Sequence, residues 1–130
     1  MQINKSLALG DLEGRLARVF TLSGSKVRSI SETWDPSRGT PVFTVDGIYT
    51  TRGWTEWTQG FQFGSAILAY EVLEDEELLD IGRSGTVEKM ASHVTHVGVH
   101  DHGFNNLSTY GNLRRLMLEG KIPDDPWERH

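Results

Sequence analysis

The sequence predicts a mainly α-helical protein with one small β-hairpin. Apolar residues recur at helical spacing over most of the chain, beginning with the segment 7–33. The acidic run Glu74–Glu77 separates two such segments, as expected where one helix ends and another begins. The exception is PVFTVDGIYTTRG, in which two β-rich runs flank Asp46-Gly47, a dipeptide that tolerates a type I′ turn. We therefore expect antiparallel helical hairpins and one β-hairpin near residues 42–51.

The helical segments differ in how apolar they are. The segment 7–33 carries two apolar stripes on either side of Ser23-Gly24, which predicts two surface helices. The segment 61–73 is apolar around nearly its whole circumference, which predicts burial on several sides. The next helix is expected to run from the acidic turn to about His93, and a last one from Leu107 to Leu118.

The C-terminal residues predict one more helix than the chain contains. Gly120 is a plausible C-cap for the helix before it. Asp125, Pro126 and Glu128 have the spacing of an N-cap, a first helical position and a capping box. We therefore expect residues 1–130 to be a single, truncated, N-terminal part of a larger helical domain.

Composition restricts the partners and the compartment. Thirteen basic and eighteen acidic residues give a net charge of −5, which argues against nucleic acid or an anionic membrane as a partner. The chain has no cysteine, so disulfides and thiol chemistry are excluded. No signal peptide and no membrane-spanning apolar run is recognised, so a cytoplasmic location is expected.

The stretch His93–Gly111 contains the densest set of chemically versatile side chains. It holds four of the five histidines, and Asp101 lies between His100 and His102. A carboxylate desolvated between helices can serve as a general acid, with neighbouring imidazoles to orient it. The alternative is an aspartate that only caps a helix or forms a turn.

The histidine spacing also allows a metal site. His93 and His96 are three residues apart, and His100 and His102 follow, so three imidazoles with Asp101 could surround zinc. The His-x-x-His spacing is weakly specific, however, and no metalloprotease motif is present. We favour structural histidines and expect no metal.

The segment Gly53–Gly64, GWTEWTQGFQFG, is the second unusual stretch. Trp54, Trp57 and Phe61 are spaced so that their rings can lie near the start of one helix. Such rings can form part of a core or provide a stacking platform for a flat ligand such as a sugar ring. The three glycines of this segment favour close approach of another backbone.

Together these motifs resemble a known family. The stretch TEWTQGFQFGSAILAYEVLEDEELLDIG, followed by HDHGF, resembles the N-terminal part of unsaturated glucuronyl hydrolases and related (α/α) six-hairpin-barrel glycosidases. The likeness covers Trp54 to about Phe104. It implies that the hairpins form part of an (α/α)6 toroid whose site lies in a central cleft. It also implies an oligosaccharide substrate that contains uronic acid, and no cofactor.

The resemblance also assigns roles to individual residues. Asp101 matches the first site aspartate of the family, which makes it the candidate catalytic residue, and its neighbour His102 belongs to the same substrate-binding set. The ring-stacking candidates are Trp54, Trp57 and Phe104. The hydrogen-bonding candidates are His100, Asn106 and Tyr110.

The chain departs from the family in length and in carboxylates. Twelve helices and their loops need roughly 190 residues, and the principal acid/base aspartate lies in a later hairpin. Since glycoside cleavage ordinarily needs two carboxylates, the chain is expected to be inactive alone. It is also expected to form homo-oligomers through exposed apolar helices. The alternatives are a small helical sugar- or metal-binding module without catalysis and a related sugar epimerase that uses histidine.

Overall fold

A computed structural model describes residues 6–126 as a mainly helical structure with one two-stranded sheet. The helices are α1 (Glu13–Thr33), α2 (Thr58–Leu73), α3 (Glu76–Lys89), α4 (Ala91–Thr95), α5 (His102–Asn106) and α6 (Asn112–Leu118). The strands are β1 (Pro41–Val45) and β2 (Ile48–Thr51), which pair antiparallel. Short 3₁₀ turns cover Leu9–Leu12 and Pro36–Arg38, and a π-helical turn, Leu107–Gly111, joins α5 to α6. The predicted fold class is confirmed at this level.

The β-hairpin lies where the sequence predicts it. Asp46 and Gly47 form its turn with φ angles of 51° and 78°, the left-handed values that a type I′ turn requires. Val45 pairs directly with Ile48 across the turn. The Asp-Gly dipeptide therefore determines the position of the turn and the register of the pairs next to it, whereas the register shifts between Pro41 and Phe43.

The prediction of two helices in the segment 7–33 is wrong, because α1 continues unbroken through Ser23 and Gly24. Gly24 is the buried residue of this helix. A Cβ atom there would lie 2.9 Å from Cδ1 of Leu73 and 3.3 Å from Cδ1 of Leu78. The glycine is therefore a contact point for α2 and α3, and not a helix break.

Helix α2 lies at the centre of the fold. It packs against α1 on one side, α3 on another, and the α5–α6 segment on a third. Ala66, Ile67 and Ala69 are buried by these contacts, which confirms the expected burial on several sides. One stripe of α2, formed by Phe61, Leu68 and Val72, stays exposed.

The main apolar core forms where α2, α3 and α6 meet. Large aliphatic side chains of these helices pack together there with the last described turn of the chain. Its members are Ile67, Leu79, Leu113, Leu116, Met117 and Ile122. No helix within residues 6–126 has the length and apolarity needed to cross a membrane.

Two helix boundaries differ from the prediction. The helix expected to reach His93 ends at Lys89, and α4 begins after Met90. The helix expected to begin at Leu107 begins at His102, so the second half of the stretch His93–Gly111 is helical. The physical reason is tertiary, because side chains of this segment bond to distant parts of the chain and hold it helical.

The C-cap prediction is confirmed. Gly120 has φ 69°, its N–H donates to the carbonyl of Met117, and Lys121 N–H donates to that of Leu116. The helix predicted to begin at Asp125 involves Glu128, which lies outside the described residues.

An ion-pair network fastens the end of α6 to α2. Arg115 donates from Nη2 and Nη1 to the two carboxylate oxygens of Glu71 at 2.6 and 2.9 Å, and Lys121 bonds to the same carboxylate at 2.5 Å. The hydrogen bonds from Arg115, and then those from Lys121, lower the pKa of Glu71 from its ordinary 4.5 to about 2. The carboxylate therefore stabilises the fold only while it is ionised.

We predict that this network makes the fold acid-sensitive. The pKa of Glu71 is lower in the folded state, so its contribution is present above about pH 4.5 and is lost as the pH falls towards 2. Glu71→Gln should lower the free energy of unfolding at pH 6 by about 1 kcal/mol, because these side chains are partly exposed. Urea unfolding at pH 6 and pH 3 measures this, and the variant should lose less stability on acidification than the parent. An equal loss of stability in the variant and the parent would show that Glu71 does not cause the acid sensitivity.

Candidate functional site

A hollow lined by three aromatic rings and one carboxylate lies beside the start of α2. Its residues are Trp57, Phe61, Asp101 and Phe104, and we call it the aromatic hollow. Its volume is about 250 Å³, just below the range of roughly 300–1,000 Å³ that holds drug-sized ligands. It therefore has room for one small ring.

The aromatic hollow joins the two unusual stretches of the sequence. Trp57 and Phe61 lie at the N-terminal end of α2, four residues apart, and their rings meet edge to face at 5.3 Å. Asp101 immediately precedes α5, and Phe104 lies on that helix. The three rings are about half exposed, at 48% for Trp57, 42% for Phe61 and 54% for Phe104. Rings this exposed are available to a ligand, unlike rings of a core.

Three imidazoles from the same part of the chain form a row that we call the histidine row. Nδ1 of His93 is 2.9 Å from Nδ1 of His102, and Nε2 of His102 is 2.7 Å from Nδ1 of His96. At the other end of the row, Nε2 of His93 is 3.0 Å from Oε1 of Gln59 on α2. His93 and His102 are buried and His96 is exposed, so the row runs from the interior to solvent.

Trp54 covers the histidine row. Its indole stacks on the imidazole of His102 with centroids 5.6 Å apart and planes inclined by 16°. Its ring also meets His93 and His96 edge to face, at 5.4 and 5.0 Å. The structure therefore places Trp54 against imidazoles, and not in the aromatic hollow with Trp57.

The side-chain amide of Asn105 connects three segments. Its Oδ1 accepts a hydrogen bond from Gly60 N–H at 2.8 Å, which satisfies a first-turn donor of α2. Its Nδ2 donates to the carbonyl of Glu56 at 3.2 Å and lies 3.1 Å from Nδ1 of His93. Trp57, the N-cap residue of α2, makes no side-chain cap. The side chain of Asn105, which belongs to α5, caps α2 instead.

The remaining predicted site residues lie outside the aromatic hollow. Asn106 donates from Nδ2 to the carbonyl of His93 at 3.0 Å, and Tyr110 donates to the carbonyl of Thr86 on α3 at 3.3 Å. His100 is 91% exposed, and its Nε2 lies 3.9 Å from Asp101 Oδ1. His102 is only 5% exposed and is enclosed by its neighbours. Of this set, His100 alone adjoins the carboxylate.

The histidine row does not have the geometry of a metal site. His102 faces His93 with one ring nitrogen and His96 with the opposite one, so the three lone pairs do not converge on one point. Among residues 6–126, no group of three or more His, Cys, Asp or Glu side chains is arranged to hold a metal ion.

Burial changes the protonation of His93. Desolvation lowers its pKa, and the nearby His102 and His96 lower it further. His93 is therefore a neutral imidazole near neutral pH, with one donor and one acceptor nitrogen.

A second hollow of about 670 Å³ lies between α1, the β-hairpin, α2 and α3. Its walls are largely apolar, including Trp34, Tyr49 and Phe63. Of the residues singled out in the sequence, Phe61 alone borders both hollows. The larger hollow therefore does not contain the predicted chemistry.

Sequence reasoning missed Gln59 and Asn105. Both lie in the two unusual stretches of the sequence, but neither is assigned a role there, and their partners are 34 and 45 residues away in the chain. The one local signal was the pair Gly60 and Gly64, which correctly predicted close backbone approach: added Cβ atoms would lie 2.4 Å from Asn105 Cα and 2.6 Å from the Ser108 carbonyl oxygen. Gly53, the third glycine of that segment, has no neighbour within 4 Å of such an atom.

We predict that Asn105→Ala destabilises the protein by about 2–3 kcal/mol, because it leaves Gly60 N–H and the Glu56 carbonyl without their partner. The matched control is Asn106→Ala, which removes one hydrogen bond to His93 and should cost about 1 kcal/mol. Chemical denaturation of the three proteins measures both losses. Equal losses of stability would show that the Asn105 cap on α2 contributes no more than the hydrogen bond of Asn106.

We also predict that Gly60→Ala lowers stability by about 1–3 kcal/mol through overpacking against Asn105. Gly103→Ala on α5 is the control, because its Cβ would meet nothing within 4 Å, and it should be neutral or slightly stabilising. Thermal melts followed by circular dichroism compare the two. If the Gly60→Ala protein were as stable as the Gly103→Ala protein, the close approach of Asn105 to Gly60 would be contradicted.

Comparison with known proteins gives no relative. No protein-family model matches this chain, and neither the curated proteins nor the solved structures give a significant match.

Proposed function

We propose that the aromatic hollow binds one sugar ring of a uronic-acid-containing oligosaccharide, as part of a six-hairpin glycoside hydrolase in which Asp101 is one of two site carboxylates. The observation that carries this proposal is that three half-exposed aromatic rings and one carboxylate line the same hollow. The two sequence motifs that suggested a glycosidase are the two that meet there.

The chemistry of the hollow suits a sugar. A pyranose ring presents apolar C–H faces and a rim of hydroxyl groups, so it can stack on aromatic faces while it donates hydrogen bonds at its edge. Trp57, Phe61 and Phe104 offer the faces, and Asp101 offers two acceptor oxygens. His100, next to Asp101, can offset the repulsion between that carboxylate and a uronate when its imidazole is protonated.

The helical arrangement agrees with this proposal. Helices α2 and α3 form a hairpin joined by the acidic turn, in which Asp75 accepts a hydrogen bond from Glu77 N–H as an N-cap. The segment α5–α6 then returns along α2. Helical hairpins of this kind are the units of an (α/α)6 toroid, and we propose that this chain supplies some of them.

The single carboxylate of the hollow limits what the chain can do. Hydrolysis of a glycoside ordinarily needs a pair of carboxyl groups about 5–10 Å apart. Asp101 is the one carboxylate among the residues that line the aromatic hollow. We therefore propose that residues 1–130 bind the sugar but do not cleave it, which is also the behaviour expected of a binding module without catalysis.

We predict measurable binding of a disaccharide with a terminal unsaturated uronate. Isothermal titration should show weak one-to-one binding, and Trp57→Ala and Phe104→Ala should each weaken it about tenfold, the equivalent of roughly 1.4 kcal/mol. Phe43→Ala is the control, because Phe43 is a similarly exposed ring (40%) on the β-hairpin and should leave binding unchanged.

Three outcomes separate the hypotheses. Binding that both ring variants weaken, without cleavage of the disaccharide, supports the proposal. Cleavage by this chain alone would show that Asp101 does not need a second carboxylate from elsewhere. Absence of binding to the unsaturated uronate, to glucuronate and to neutral disaccharides would overturn the proposed function.

A further inference from the structure

The hydrogen bonds of the histidine row determine where its protons lie. The starting point is Asn105, whose amide orientation is fixed because Oδ1 faces the N–H of Gly60 and can only accept there. Nδ2 is therefore the donor, and it lies 3.1 Å from Nδ1 of His93. Nδ1 of His93 is accordingly an unprotonated acceptor.

The other nitrogen of His93 agrees with this assignment. Nε2 lies 3.0 Å from the amide oxygen of Gln59, so it carries the proton and donates. The lowered pKa of this buried ring, caused first by desolvation, keeps it neutral. His93 therefore presents a lone pair to Nδ1 of His102 at 2.9 Å, and His102 has to donate to it.

At the other end of the row, His96 presents a second lone pair. The N–H of Gly98 donates to Nδ1 of His96 at 3.3 Å, so that nitrogen is also an acceptor. Nε2 of His102 lies 2.7 Å from the same atom and has to donate as well. An imidazole that donates from both nitrogens carries two protons and a positive charge.

We propose that the histidine row is a proton-binding site, in which His102 is an imidazolium held between the neutral imidazoles of His93 and His96 and stacked beneath Trp54. Trp54 suits this role, because an indole face attracts a cation more strongly than any other aromatic side chain does. Hydrogen bonds that involve a charged donor are short, as is the 2.7 Å contact to His96.

The surroundings of His102 contain few other charges. The titratable groups that face it are His93 from α4 and His96, which follows that helix, and Trp54, Gln59 and Asn105 enclose the row with groups that do not titrate. Glu56 from the segment before α2 reaches the network through its backbone carbonyl. On its own segment, the Asp101 carboxylate precedes it and lies near His100.

The proton has a structural consequence for the segment 96–101. If His102 were neutral with its proton on Nδ1, His96 would have to donate from Nδ1 to Nε2 of His102, and Gly98 N–H would lose its acceptor. If its proton were on Nε2, two unprotonated nitrogens of His93 and His102 would face each other at 2.9 Å. The imidazole of His96 also packs on Gly98, where an added Cβ would lie 2.3 Å from Cε1. The proton on His102 therefore keeps His96 on Gly98 and fixes the turn that leads to Asp101, which makes His102 a positioning residue.

The decisive measurement is nitrogen NMR on the intact chain with ¹⁵N-labelled histidine, at about pH 7. The expected spectrum shows both ring nitrogens of His102 protonated, and His93 and His96 as neutral rings with the proton on Nε2. The variants His100→Ala and His102→Phe assign the spectrum, because the signals missing from each belong to the exposed His100 and to the buried His102. A His102 with one unprotonated nitrogen, or a His96 protonated on Nδ1, would overturn the proposal, and the wild-type spectrum decides this even if a variant fails to fold.

A second measurement tests the positioning role of His102. The expected effect on ligand affinity rests on the proposed sugar binding. His102→Phe keeps the ring against Trp54 but removes both donors, whereas His93 and His96 retain Asn105 and Gly98 as donors. Hydrogen exchange at Gly98 should become at least about threefold faster in this variant, and affinity for the uronate disaccharide should fall. Unchanged exchange at Gly98 overturns the positioning role. If no uronate binds to the wild type, the sugar proposal fails while the NMR result stands.

Discussion

The rest of the structure depends on one buried amide. Asn105 is fully buried, and each of its polar atoms has a partner: the N–H of Gly60, the carbonyl of Glu56 and the imidazole of His93. A buried amide with partners for all its groups holds one geometry, because any displacement leaves a polar group unpaired in a dry environment. Asn105 therefore fixes the position of α5 relative to the start of α2 and to α4.

Both features of the site follow from this constraint. The aromatic hollow exists because α5 carries Phe104 to the N-terminal end of α2, where Trp57 and Phe61 lie. The histidine row depends on the same amide, because Nδ2 of Asn105 contacts Nδ1 of His93. The hollow and the row therefore share one junction, and a change that loosens α5 would affect the proposed sugar stacking and the proposed proton binding together.

Local patterns predicted the parts of this structure that depend on local physics. The hairpin turn at Asp46-Gly47 and the C-cap at Gly120 follow from backbone conformations that few residues tolerate. The aromatic and carboxylate members of the hollow were also identified from sequence. Gln59, Asn105 and the order of the imidazoles were not, because their partners are distant in the chain and any polar residue can occupy a helix surface. The sequence predicts that Trp54 stacks on a sugar, and nothing local reveals that it stacks on His102.

The π-helical turn Leu107–Gly111 lies between the residues that build the site and those that build the core. Such a turn contains one residue more than an α-helical turn, and each residue of a helix accounts for about 100° of rotation. It thus lets Asn105 face α2 while Leu113 and Leu116 face the apolar core. A chain shortened by one residue here would form a regular helix but could satisfy only one of these two orientations. The number of residues in this segment therefore couples the orientation of the site to that of the core.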